Sequence, residues 1–450
     1  MSLVPVFHPL WSLRSKPGGQ ALPARASHNQ QALPACGAWT RRHNQLQSFR
    51  GKRSGAKTRG GTDAALPQSS KSAILNQVMS RVFNFSAGPS CLPEEVLHEA
   101  QNELLEYGAS GQSVMEMSHR TADFEAILHS AEQRVRSLLG VDERYSVLFL
   151  QGGASSQFAC VPLNLTKKGK AAYADTGIWS DKAIEQARAY THVDVIASSK
   201  DKKYRYIPTV PAFEAALYDY FHFTLNNTIM GTAWHTLPEC GATLVTDASS
   251  CIMSEPLDVS RFGLIYAGAQ KNLAPAGVTL VIIRNDLLEN EPLPQTPIMF
   301  KYTTHSKNDS MYNTPPCWSI YIMEKVLRWL EKHGGLEAMQ KRNREKAAAL
   351  YDYLDASNFY GGTAEKTSRS MMNITFVITE PSIAHDAEKL AAANKAFLAE
   401  AKRAGLVNLA GHRLVGGMRA SIYNAMEKAG VDALLGFMED FATQHGRKSA

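Results

Sequence analysis

The sequence predicts an α/β protein, with a large domain on a mostly parallel sheet followed by a smaller α+β domain. Three observations carry that expectation. A chain of 450 residues exceeds what one hydrophobic core holds, since single cores stop growing near roughly 250–300 residues. Between residues 121 and 283, short wholly apolar runs alternate with segments of helical period, as strands do when helices cover both faces of their sheet. Beyond Gly334 and Gly335 the order changes to long helices separated by single strands.

Taken in order, residues 1–78 read as a leader without apolar period. They hold 11 of the chain's 48 basic residues and the single acid Asp63, so they account for a charge of +10. The remaining 37 basic and 41 acidic residues leave the body at −4, although the whole chain is +6. A basic leader on a mildly acidic body argues against a nucleic-acid-binding fold. Two readings of the leader stay open: a plastid or mitochondrial transit peptide, or a stretch upstream of a true start at Met79, which places the protein in the cytoplasm. No apolar run reaches the ~20 residues that span a bilayer. The six cysteines form no CxxC or Cys/His spacing, so no metal site or disulfide framework is expected and a reducing compartment fits.

The large domain is placed at 79–340, its opening stretch free to pack on the smaller domain at 341–450. Helical periods run from Leu92 to Gly108 and from Thr121 to Gly140; in the second, Phe124, Ile127, Leu128, Ala131, Val135 and Leu139 recur at three and four. Tyr145 to Leu150 reads as a buried strand feeding the glycine turn Gly152-Gly153. A helix follows from Ser180 to Tyr190, with strands at His192–Ala197, Tyr220–Phe223, Ala242–Thr246, Leu264–Ala267 and Val278–Ile283. After the turn at Pro315-Pro316, a helix passes through Val326, Leu327 and Leu330. The smaller domain then alternates helices (Leu336–Leu354, Ala387–Ala404, Val431–Gln444) with strands (Met372–Ile378, Met418–Ile422).

Open parallel sheets bind ligands at the carboxyl ends of their strands. Small residues after Leu150 would leave backbone N–H groups free at a helix start, a phosphate cradle. Asp247 follows one apolar run and Lys271 the next. Each has an ordinary reading, as a turn, a helix cap and a surface charge. Together they differ, because a lysine in an Ala- and Gly-rich setting is partly desolvated and becomes an amine able to form a Schiff base. A carboxylate 24 residues earlier can hold a pyridinium nitrogen and the cradle a phosphate, which are the three handles of pyridoxal 5′-phosphate.

Four segments, Phe83 to Pro89 (FNFSAGP), Ser113 to Arg120 (SVMEMSHR), Tyr266 to Asn272 (YAGAQKN) and Gly411 to Asn424 (GHRLVGGMRASIYN), resemble the phosphoserine aminotransferase family across residues 79–450. The resemblance implies an aspartate-aminotransferase-like, fold-type I homodimer with shared active sites, working on glutamate and 3-phosphohydroxypyruvate in serine biosynthesis. It implies that Lys271 bonds the cofactor and then carries a proton, that Asp247 pairs with the ring nitrogen, that Trp179 stacks on the ring and that Thr228 touches its hydroxyl side. Ala154, Ser155 and Gln270 would bind the cofactor phosphate, joined by Asn313 and Thr314 of the second subunit. Arg419 would take the α-carboxylate, with His119, Arg120 and His412 around the distal phosphate or γ-carboxylate. Where some relatives carry an arginine, this chain has Ser155. The alternatives weighed are another enzyme of this class, such as alanine–glyoxylate aminotransferase or a cysteine desulfurase, and a non-catalytic binding protein. The first leaves the His119, Arg120 and His412 cluster unexplained.

Overall fold

The computed structural model describes residues 81–446; the readings made for 1–78 and Met79 lie outside them. Seven strands form the main sheet: β1 (Tyr145–Leu150), β2 (Lys170–Asp175), β3 (His192–Ser198), β4 (Phe221–Thr224), β5 (Leu244–Asp247), β6 (Phe262–Gly268) and β7 (Thr279–Arg284). Their spatial order is β1-β7-β6-β5-β4-β2-β3. β7 runs antiparallel to both its neighbours and every other pair is parallel.

Successive side chains of a strand point to opposite faces, and the apolar runs use this. Val147 and Phe149 of β1, with Phe221 and Phe223 of β4, join one buried cluster that includes the helices Ala122–Leu139 and Cys317–Lys332. Leu148 and Leu150 of β1, with Leu264 and Tyr266 of β6, join another under the helices Gly153–Leu165 and Ile178–Ala187. Both faces are therefore covered, which is why these strands show no polar alternation.

Strand β2 is absent from the sequence-based expectation. Its run KAAYAD is rich in alanine, a weak strand former with little surface to bury. It is a strand because neighbours pair with it on both sides, and Ala171 to Asp175 are buried. The first helix is shorter than its period suggests, Glu94–Asn102. Leu105, which extends that period, is 87% exposed, and the backbone turns so that Tyr107 N–H donates to Gln112 O at 2.9 Å.

A three-stranded antiparallel sheet, β8 (Tyr360–Gly362), β9 (Asn373–Ile378) and β10 (Met418–Ser421), forms the third apolar cluster with helices Gly335–Ala356, Ala387–Arg403 and Lys428–Gly446. Phe85 joins this cluster, and Phe83–Asn84 pairs in parallel with Leu406–Val407. Among the described residues no helix is long and apolar enough to cross a membrane.

One buried cation ties the chain after β10 to a helix. Lys346 is 3% exposed, and its Nζ donates to the carbonyls of Ile422 (3.1 Å), Tyr423 (2.9 Å) and Met426 (2.9 Å). Burial pushes its ammonium down to about 7. Lys346→Met would strand the buried carbonyls of Ile422 and Met426, each costing about 1 kcal/mol or more, while the Tyr423 carbonyl keeps the Met426 N–H at 2.9 Å. Urea unfolding at neutral pH is expected to show about 2 kcal/mol of lost stability; an unchanged midpoint would show that these bonds contribute nothing net.

Candidate active site

The carboxyl ends of the parallel strands and the start of one helix deliver the chemistry. After β1 the backbone turns at Gly152, whose φ is 91°, and a Cβ there would come within 2.0 Å of Ser156 Oγ. Only glycine closes this turn. The helix Gly153–Leu165 begins at once, and its first N–H groups, near half-buried Ala154 and exposed Ser155, have no intrahelical acceptor. Asp247 ends β5, and Lys271 lies three residues past the end of β6. Beyond β4 the chain enters a hairpin, Asn226–Asn227 against Thr232–Ala233, whose turn carries Thr228.

Thr228 is the meeting point. Lys271 Nζ donates to its Oγ1 at 2.7 Å, and Arg419 Nη1, reaching from β10, donates to its carbonyl at 3.3 Å. The Trp179 ring centroid lies 5.9 Å from Lys271 Nζ. Burial pushes the Lys271 ammonium down to about 8; the charge of Asp247 partly opposes this and that of Arg419 adds to it. Burial also raises the Asp247 carboxyl, against the pull of Lys271 and the Ser249 N–H, which donates to Oδ1 at 2.9 Å.

Around Arg419 the charge is positive. His412 is held below its ordinary pKa, first by burial and then by Arg419, Arg413 and Lys182. It is thus neutral at pH 7, and because its Nδ1 accepts from Leu414 N–H at 3.3 Å, Nε2 carries the proton. Lys182 Nζ stands 4.9 Å from the Trp179 ring. Buried Nε1 of Trp179 and Nε of Arg419 have no partner among the described residues. Two buried N–H donors without acceptors beside Lys271 suit a ligand rich in oxygen.

The structure therefore brings together Lys271, Thr228, Asp247, Trp179 and Arg419, with His412 beside the last. Gln270 is half-buried, its carbonyl accepting from Ser90 N–H at 3.0 Å. Asn313 and Thr314 lie against Gln151, just ahead of the glycine turn: Asn313 Nδ2 donates to Gln151 Oε1 at 3.4 Å, and Gln151 Nε2 donates to Thr314 O at 2.9 Å. His119 and Arg120 sit on the loop before helix Ala122–Leu139, without side-chain hydrogen bonds or ion pairs to the group around Thr228. Lys182 and Arg413 are absent from the sequence-based set, although Lys182 follows Trp179 by one helical turn and Arg413 adjoins His412.

The model of the aminotransferase class-V family matches residues 82–434. The chain belongs to that family. A curated phosphoserine aminotransferase from Geobacillus kaustophilus is 50% identical over 369 residues, covering 81% of this chain and 99% of the relative. This places the chain among the phosphoserine aminotransferases within the class. Solved structures agree. The phosphoserine aminotransferase of Bacillus circulans subsp. alkalophilus superposes with a TM-score of 0.76 at 44% identity, covering 81% of this chain and 99% of that one. The PLP-bound enzyme of Trichomonas vaginalis gives 0.74 at 35%, covering 80% and 100%.

Pyridoxal phosphate fits the residues of this aminotransferase. It needs an amine of lowered pKa, an anion for its ring nitrogen, an aromatic neighbour and N–H donors for its phosphate. Lys271 has the first property, Asp247 offers a buried carboxyl group at the end of β5, Trp179 lies close to Nζ, and the start of helix Gly153–Leu165 presents free N–H groups.

Proposed function

We propose that this aminotransferase uses pyridoxal 5′-phosphate to move an amino group between glutamate and 3-phosphohydroxypyruvate, giving O-phospho-L-serine and 2-oxoglutarate, and works as a homodimer. The observation that carries the substrate class is the set of cationic and N–H-donating groups at Arg419, His412, Arg413 and Lys182, next to Lys271. One carboxylate needs one arginine fork; a second anionic group on the same small molecule accounts for the rest.

When bound, the cofactor supplies a carbon that accepts the amino group and a ring that withdraws electrons from it. The protein does the remainder. Lys271, with its amine poised near pH 8 and aimed by Thr228 Oγ1, would be the nucleophile that holds the cofactor and the base that takes and returns the substrate Cα proton. Asp247 would hold the ring nitrogen protonated. Trp179 would cover one face of the ring. Ala154, Ser155 and Gln270 would hold the cofactor phosphate, with Asn313 and Thr314 of a second subunit. Arg419 would take the α-carboxylate. The Nε2–H of His412, with Arg413 and Lys182, would take the phosphate of one substrate and the γ-carboxylate of the other; the family resemblance would add His119 and Arg120 to this set.

Purified protein is expected to show an absorbance band near the visible edge that bleaches with glutamate and returns with 3-phosphohydroxypyruvate. Hydroxypyruvate without phosphate should react with kcat/KM lower by about 100-fold, since charge-assisted hydrogen bonds contribute about 1.5–3 kcal/mol. Equal efficiency with the two oxo acids would sink the phosphate assignment.

A further inference from the structure

Beneath the site lies a buried polar network centred on Asn373 of β9, which touches neither cofactor nor substrate in the reading above. Asn373 is fully buried, as are its partners Asn226, Ser370, Ser421 and Tyr423. Its Oδ1 accepts from Asn226 Nδ2 at 2.8 Å, while its Nδ2 donates to Ser421 Oγ at 3.0 Å and Tyr423 Oη at 3.1 Å. Its backbone N–H donates to Ser370 Oγ (3.0 Å), whose hydroxyl in turn donates to Asn226 Oδ1 (2.6 Å). Asn226 Nδ2 also donates to Ser250 Oγ at 2.7 Å, three residues beyond Asp247. Tyr423 Oη donates to Ala87 O at 2.9 Å.

These bonds join the segments that carry the site. Asn226 begins the hairpin bearing Thr228. Ser421 lies opposite Asn373 in the β9–β10 register, two residues beyond Arg419. Gly231, in the same hairpin, has φ 73° and lies so close to β9 that a Cβ would come within 2.5 Å of Thr375 Oγ1 and 3.0 Å of Asn373 O. The hairpin thus rests directly on β9, and Arg419 reaches back across it to the Thr228 carbonyl. A shift of β10 against the hairpin would move the guanidinium relative to Lys271, because both side chains meet at Thr228.

Apolar packing would hold these layers together equally well, yet it would tolerate sliding; side-chain amides with every donor and acceptor used fix one register. We infer that Asn373 is a positioning residue for the substrate: it sets the distance between Arg419 and Lys271, and so governs how well a carboxylate is held rather than how fast the proton moves. The inference rests on the assignment of Arg419 to the substrate carboxylate.

The test uses the holoenzyme and Asn373→Ala, with Ser421→Ala as the milder variant that removes one of the two acceptors of Asn373 Nδ2. Asn373→Ala should raise KM for glutamate and for 3-phosphohydroxypyruvate at least tenfold, with kcat within threefold of wild type. The dissociation constant of glutarate, a dicarboxylate with no amine to transfer, should rise in parallel by calorimetry, while the cofactor absorbance band stays unchanged. Ser421→Ala should shift the same constants about threefold, and it keeps the test open if the alanine variant does not fold. Unchanged KM and glutarate binding, or a fall in kcat alone, would overturn the inference. If wild-type protein binds glutarate but does not turn over 3-phosphohydroxypyruvate, the proposed function fails, and glutarate binding still decides the role of Asn373.

Discussion

Lys271→Ala is expected to lower kcat/KM by about 10⁴-fold or more and to remove the absorbance band of the bound cofactor, since one substitution deletes both the proposed nucleophile and the proposed proton carrier. The geometry gives the reason for so large an effect. Nζ is aimed by a 2.7 Å hydrogen bond to Thr228 Oγ1, and burial brings its pKa down from the ordinary 10.5 to about 8. Lys271→Arg separates charge from chemistry. A guanidinium keeps the cation near Asp247 yet stays protonated at every working pH, so it can neither attack nor accept a proton. Both variants should fail alike in a single turnover with glutamate. An alanine variant that turned over at the wild-type rate would refute the assignment. The wild-type pH dependence has a fixed sign. Only the neutral amine attacks an aldehyde, so the rate of cofactor capture by apoprotein should rise about tenfold per pH unit below 8 and level off above it.

Much of this was legible in the sequence because the relevant signals are local. Strand β1 and the helix Ala122–Leu139 follow from apolar runs and periods, and Asp247 and Lys271 stand out as polar residues just past apolar strands. What stayed hidden depends on distant partners. Strand β2 is stabilised by neighbours on both sides rather than by its own alanines. Thr228 as the junction of Lys271 and Arg419 requires the approach of residues 43 and 191 positions away. Without the family resemblance Trp179 is an ordinary core tryptophan; the ammonium groups of Lys271 and Lys182 near its ring set it apart only once the chain is folded.

Asp247→Asn is the second large effect and isolates charge at constant shape. The amide can keep the Ser249 N–H on its carbonyl oxygen, so the end of β5 should fold unchanged. Burial raises the Asp247 carboxyl, which means that the fold disfavours its charged form; replacing it by a neutral amide therefore leaves thermal stability equal or higher. Activity should move the other way. Removing one preorganised oxyanion-hole donor costs about 10²–10³-fold in kcat, and a loss of the same order is expected here in the single-turnover rate with glutamate. Lys271 supplies an independent readout. The Asp247 charge holds the lysine pKa up, so the asparagine variant should capture cofactor with a pH midpoint below 8. A variant with kcat within tenfold of wild type and an unmoved midpoint would show that Asp247 acts on neither the cofactor ring nor Lys271. A lowered midpoint with wild-type kcat would confine its role to the lysine. The full pattern, with stability kept, kcat lowered and the midpoint shifted down, is what a carboxylate retained for its charge, at some expense to the fold, must give.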